Sequence, residues 1–180
     1  MSSAQRKQSD ASQSVSHKPR IVVVGGGTGT HATLRGFAPY ADAFAITAII
    51  SMADSGGSTG RLRDEFGQLP VGDVRNALTA LAADSHADEE LLRELFRYRF
   101  AKGDGLSGHS FGNLFLTALT DILGTEEAAI NAASRILRAR GRVLPVTTDQ
   151  VHLCAEYDDG ESVIGEHEFD DCPPARTRKR

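Results

Sequence analysis

The chain has 180 residues, 40% of them hydrophobic, and a formal net charge of −4. That length suits one domain with a sizeable core. No apolar run approaches a membrane span, the N-terminus lacks the apolar stretch of a secretion signal, and Cys154 and Cys172 show neither metal-ligand spacing nor a disulfide framework; a cytoplasmic location without membrane contact follows.

The charge is unevenly placed. Residues 1–20 hold four basic side chains and one acidic, residues 173–180 hold four basic, and the remaining 21–172 hold 12 basic against 23 acidic, a net of −11. A body so acidic repels polyanions, which argues against nucleic-acid binding. It also sets apart Arg61, Arg63 and Arg75.

Residues 1–19, rich in Ser, Gln and Lys, predict a disordered leader. Ile21 to Val24 reads as a β-branched strand running into the glycine turn Gly25-Gly26-Gly27-Thr28-Gly29-Thr30. A helix with Leu34 and Phe37 on one face follows, stopped by Pro39, and a second strand spans 44–51. Strand, glycine turn, helix and strand predict a parallel βαβ unit with both strand ends on one edge.

Met52 to Arg63 is the main ligand-site candidate. Asp54 stands just past the strand, then Ser55-Gly56-Gly57-Ser58-Thr59-Gly60 offers a flexible cradle of backbone N–H groups. Arg61 and Arg63 are expected in the first turn of a short helix. A carboxylate, an N–H cradle and guanidinium groups at a strand's carboxyl end suit a phosphate ester with a metal.

Asp73 reads as the N-cap of a helix through about Ala83. An acidic connector, 84–88, leads to a helix whose Leu91, Leu92, Leu95 and Phe96 stripe is assigned to the core. Gly103-Asp104-Gly105 marks that helix's end. Gly108-His109-Ser110-Phe111-Gly112-Asn113 introduces another, so apolar over 114–123 that it is expected to be buried. A helix over 125–140 has Thr125 as N-cap and Gly141 at its C′ position. Val143 to Thr147 predicts a strand. Alternation at Val151, Leu153, Ala155 and Tyr157, a turn at Asp158-Asp159-Gly160 and Ser162-Val163-Ile164 predict a hairpin. Residues 169–180 have no periodicity and read as an unstructured basic tail.

Each motif has a plainer reading. The first glycine run is a partial dinucleotide fingerprint, with Thr30 where a third glycine belongs, and a tight strand-to-helix turn needs fewer glycines. Asp54 could serve a ribose in an NAD-binding module or cap its own loop. Arg63 could pair with Asp64 or Glu65, and Asp73 reads foremost as a helix N-terminus. Arg75 and Asn76 stand open between ligand and helix roles. His109, beside Ser110 and Asn113, could bond a phosphate or only backbone.

The stretches GGGTGT, MADSGGSTGRLRDEFGQLPVGDVRNAL, LLRELFRYRFAKGDGLSGHSFGNLFLTAL and ASRILRARGRVLPVT resemble the N-terminal half of the CofD/YvcK family. That family comprises 2-phospho-L-lactate transferases and gluconeogenesis factors, and the chain is more similar to the latter. The likeness covers about Arg20 to Glu166, the body of an expected domain at 20–168. It implies an α/β fold, a Rossmann-like three-layer parallel sheet with helices on both faces, here joined by the C-terminal β-hairpin and incomplete. The family's second half is absent from the resemblance, and the Pro-Pro and basic ending reads as a truncation or altered frame.

For the gluconeogenesis-factor branch the resemblance implies a UDP-sugar ligand and a regulatory role in cell-wall and cell-shape metabolism. For the transferase branch it implies passage of a phospholactyl group from a guanosine diphosphate carrier to a deazaflavin acceptor. On this chain Gly26, Gly27, Thr28 and Gly29 would line the phosphates. Asp54, Gly56, Gly57, Ser58 and Arg61 would form the opposite wall, and Asn76, His109 and Asn113 would close the cleft. Asp54 would be the catalytic and Mg²⁺-binding carboxylate. Ser55 stands where the branch often carries a second Asp. A homodimer is left open.

Overall fold

The computed structural model describes residues 18–158 and 160–165. Most of the expected leader, the basic tail, Cys172 and Asp159 of the hairpin turn lie outside the described residues. Strands β1 (Arg20–Gly25), β2 (Ala45–Ile50) and β3 (Arg142–Pro145) form one parallel sheet in the order β1-β2-β3. Register aligns Val23 with Ala48 and Val143 on one face, and Val24 with Ile49 and Leu144 on the other. Strands β4 (Cys154–Glu156) and β5 (Ser162–Ile164) make a separate antiparallel hairpin.

Six helices are described: α1 (Gly27–Phe37), α2 (Gly57–Phe66), α3 (Gly72–Leu81), α4 (Ala87–Arg97), α5 (Phe111–Leu123) and α6 (Glu126–Ile136). The βαβ unit is as expected: β1, α1 and β2, with Pro39 in a 3-10 turn that ends α1. Helix α3 is the hub. Val74, Ala77, Leu78, Thr79, Ala80 and Leu81 are all buried, because the helix lies between the sheet and the layer formed by α4 and α5. Ile46, Ala48, Ile50 and Val143 supply the sheet's side of that core. On the opposite face Val22 is 56% and Val24 70% exposed, so no described helix covers it there. A parallel sheet is normally clad on both faces.

Several local expectations are corrected. Helix α2 begins at Gly57, so Gly57 to Gly60 are helical rather than loop, and Arg61 and Arg63 lie beyond the first turn. Asp73 is the second residue of α3, not its cap; Val71 precedes the helix, and no side chain bonds its end. Of the α4 stripe only Phe96 is fully buried, while Leu91 is 66% and Leu95 40% exposed. The stripe is amphipathic, but the neighbouring helices cover only one margin of it. At the end of α5, Ile122 and Leu123 are likewise exposed. Thr125 does cap α6, accepting a hydrogen bond from the Ala128 N–H at 3.2 Å. That helix stops at Ile136, and the left-handed residue is Arg138 (φ 48°), not Gly141. The exposed Arg138 side chain pairs with Glu89 at 2.8 Å. Gly141 is small for another reason: a Cβ would lie 2.9 Å from the Ile46 carbonyl oxygen.

Candidate functional site

The parallel strands deliver the chain to one edge. β1 runs into Gly25 and Gly26, and Gly27 opens α1 with φ +66°, a conformation that favours glycine. β2 leads through Ser51 and Ala53 to Asp54. The Asp54 Oδ1 accepts the Gly56 N–H at 2.8 Å, the local turn that aspartate favours. Its Oδ2 faces α3, where a Cβ on Gly72 would come within 2.8 Å of it. Asp73, next along α3, turns its carboxylate onto Gly26 so closely that a Cβ there would collide with it. Asp54 and Asp73 therefore flank the first glycine turn in a cleft of about 440 Å³ lined also by Gly27, Ser51, Ala53 and Leu153.

A second cleft, about 470 Å³, opens on the other side of the 54–57 bend and is lined by Ser55, Gly57, Ser58, Gly60, Arg61, Asp64 and Gly108. The two glycine bends thus serve two adjoining clefts, with Asp54 in the first and its immediate neighbours in the second. Some cradle amides are already engaged: Gly56 N–H by Asp54, and Gly60 N–H by the Gly56 carbonyl at 3.1 Å. Those of Gly57, Ser58 and Thr59 are the first-turn donors of α2, which intrahelical bonds leave over.

Behind this wall the second cleft is braced by a buried polar hub. Ser58 Oγ accepts from the Ser110 N–H at 3.2 Å and from Asn113 Nδ2 at 3.3 Å. Its own proton is left for His109 Nδ1, 3.2 Å away. The network therefore assigns a neutral His109 with its proton on Nε2. Burial holds its pKa below the usual histidine value, and Arg61 adds to the effect. Asn113 Nδ2 also donates to Thr59 Oγ1 at 3.4 Å, while its buried Oδ1 has no partner among the described residues.

The cations are arranged around one turn. Arg61 donates to the Ser107 carbonyl at 3.1 Å, Arg75 to Ser110 Oγ, and Arg99 to the Gly108 carbonyl. Arg75 also donates to Asn76 Oδ1 at 2.7 Å, and its buried Nε is unpartnered. Burial, with Arg99 nearby, lowers the Arg75 pKa, although a guanidinium stays charged. The described ion pairs are Arg63–Asp64, Arg93 with Asp84 and Glu90, and Arg138–Glu89; Arg61, Arg75 and Arg99 are in none of them. Arg61 and Arg99 are exposed, but Arg75 is half-buried, and a guanidinium drawn from water without an ion pair is costly unless a ligand supplies the anion.

The expected residues are thus distributed. Gly26, Gly27 and Asp54 share the first cleft; Gly57, Ser58 and Arg61 share the second, with His109 and Asn113 behind it. Gly56 forms the bend between them. Thr28 and Gly29 are exposed in α1's first turn and line neither cleft, and Asn76 is engaged by Arg75. Arg75, left open between ligand and helix roles, falls at the site, and Asp73 and Arg99 join it beyond the expected set. Asp73 could have been found from its place beside Gly72 at a helix start; nothing local marks Arg99, which arrives through its bridge to Ser110.

Could these residues hold Mg²⁺? Among the described residues no group of three or more His, Cys, Asp or Glu could hold a metal. Asp54 and Asp73 offer two carboxylates beside a glycine turn, and among the described residues the Asp73 side chain has no hydrogen bond or ion pair. Mg²⁺ commonly takes one or two carboxylates and completes its shell with water and phosphate oxygens, so the donor set fits.

Fold and site together define a Rossmann-like α/β protein whose polar clefts open at the carboxyl ends of its parallel strands, the position expected of such sheets. The chain belongs to the CofD family: the family model described as "2-phospho-L-lactate transferase CofD" matches residues 21–178, past the Glu166 limit of the motif-level likeness. A Nostoc sp. protein named "Putative gluconeogenesis factor" is 57% identical over 148 residues, covering 82% of this chain and 31% of that protein. The Bacillus subtilis "Gluconeogenesis factor" is 47% identical, covering 83% of this chain and 45% of that one. A crystal structure of a UPF0052 family member from Bacillus halodurans superposes with a TM-score of 0.80 at 42% identity, over 91% of this chain and 50% of the other. The chain therefore spans half or less of these relatives' length.

Proposed function

We propose that the chain carries the phosphate-gripping part of a nucleotide-sugar site in a regulatory protein of the gluconeogenesis-factor type, acting in cell-wall and cell-shape metabolism. The observation that carries this reading is the state of the helix ends. The N-termini of α1, α2, α3 and α5 all border the two clefts or the hub behind them, and none has a side-chain cap. Their positive dipole ends and the first-turn N–H groups not already bonded (Phe111 N–H is held by the Tyr98 carbonyl) favour an anion. Arg61, Arg75 and Arg99 add cations that take part in none of the described ion pairs, in a body of net charge −11.

In this reading a diphosphate lies across the 54–57 bend. The Gly26–Gly27 turn meets it from one side and Arg61 with the α2 amides from the other. Mg²⁺, when bound, would be held by Asp54 and Asp73 and would offset phosphate charge. His109 keeps the α2 first turn in place through Ser58 and presents Nε2–H. Unfolding measured by thermal shift in Mg²⁺ tests the reading: UDP-sugars should raise the midpoint more than GDP or NAD. Stabilisation by NAD alone would overturn it. The family description and the Asp54–Asp73 pair favour a second reading, phospholactyl transfer from a guanosine diphosphate carrier to a deazaflavin acceptor. Release of GMP that depends on Asp54 would select that reading.

A further inference from the structure

At the opposite end of α1 and α3 lies a cavity of about 190 Å³ lined by Arg35, Arg93 and Arg140, with Asp84 the one carboxylate in its wall and Ala80 and Ala82 among its small residues. Arg35 comes from the last turn of α1, Ala82 ends α3, and Arg140 precedes β3. The Arg93 side chain is only 12% exposed and is anchored by Asp84 at 2.7 Å and Glu90 at 3.9 Å.

Arginines at helix C-termini have an ordinary explanation, complementing exposed carbonyls. Arg35, in the last turn of α1, fits it in part; the exposed Arg35 and Arg140 side chains are anchored by nothing further among the described residues. Among the described residues neither the Arg35 nor the Arg140 side chain makes a hydrogen bond or ion pair; only the Arg140 backbone N–H is engaged, by the Leu81 carbonyl. The wall therefore holds two guanidiniums beyond what Asp84 balances. Three arginines lining one small cavity suit a tetrahedral oxyanion.

We propose that this cavity is a second anion site, separate from the ligand clefts, that takes a phosphate-class dianion: inorganic phosphate or a small phosphomonoester. Arg35 and Arg140 close on it from two elements, and Arg93, fixed by Asp84, forms the floor. The alanines leave the room. The site and the first cleft lie at opposite ends of the same two helices, and the proposal does not depend on the nucleotide reading.

Amide NMR on the full chain resolves the two places independently. Inorganic phosphate and glycerol phosphate would be titrated in turn, with acetate at matched ionic strength as the monoanion arm. The Ala38, Ala82 and Arg140 amides should shift saturably with phosphate. In an Arg35→Gln/Arg140→Gln variant the dissociation constant at those amides should rise by about tenfold or more, the scale of losing charge-assisted bonds. The Gly27, Gly57 and Ser58 amides should titrate as in the parent. Response to glycerol phosphate as well as phosphate identifies a monoester site, and response to phosphate alone a free-phosphate site; each supports the proposal. Shifts absent at Ala82 and Arg140, unchanged by the double substitution, or equal with acetate, would overturn it.

Discussion

Arg61 is the exposed cation of the second cleft, with one N–H on the Ser107 carbonyl and no carboxylate partner. Arg61→Ala should weaken nucleotide-sugar binding by on the order of 1.5 kcal/mol, the lower range for hydrogen bonds to charged groups, since water screens it. Arg63 should behave differently, because Asp64 already pairs with it at 3.5 Å. Equal losses for the two variants in a binding titration would count against the assignment. His109 gives a pH signature. Its folded pKa is depressed by burial first and by Arg61 second, so the folded state prefers the neutral ring. That contribution is complete above the ordinary value of about 6.5 and is lost as pH falls through the depressed one. Thermal unfolding should thus lose stability on acidification below about pH 6.5, and His109→Gln should flatten that limb; a slope unchanged by the substitution would contradict the hub.

Among the elements, α3 and the first turn of α2 bear most of the weight. Leu78 is fully buried between the sheet and the outer helices, so Leu78→Ala should cost about 2–5 kcal/mol in chemical denaturation. Gly60 sits where a Cβ would strike the Ser55 carbonyl, a backbone atom that cannot swing aside. Gly60→Ala should therefore destabilise by about 1–3 kcal/mol, whereas Gly29→Ala, with open space around it, should be tolerated. Calorimetric melting of the pair checks the contrast.

The sequence made some of this legible and hid the rest for physical reasons. A βαβ unit is read from a local period, and β1, α1 and β2 stand where Val22 to Val24, Pro39 and Ile46 to Ile50 indicate. The glycine turns are legible because positive φ at Gly27 and Gly57 is a local demand. Arg99 has no local sign, since what brings it against Gly108 is tertiary; Asp73 has one in its place beside Gly72, although its approach to Gly26 is tertiary too. Burial along α4 departs from its spacing for a related reason: Leu91 and Leu95 have core spacing, but spacing says nothing of whether a neighbour exists to cover them.

On the scale of the molecule, the chain matches about half of its structural relative, and one face of its sheet exposes Val22 and Val24. Val24→Lys should change the stability of this chain by no more than about 0.5 kcal/mol, the range for surface substitutions. A loss of several kcal/mol would mean that the face is covered in solution. The acidic body has a second consequence. With the balance of charge negative over 21–172, anion affinity must come from the local arrangement of helix ends and guanidiniums, so raised salt should weaken it.

Calorimetric titration of a UDP-sugar, with and without Mg²⁺, into the parent chain and into Asp54→Asn and Asp73→Asn variants puts the diphosphate site to its most direct test. The parent should bind more tightly with Mg²⁺, and each carboxylate exchange should remove that difference while leaving the fold intact. Affinity indifferent to Mg²⁺ and to both exchanges would contradict a diphosphate held between the glycine turn and these two aspartates.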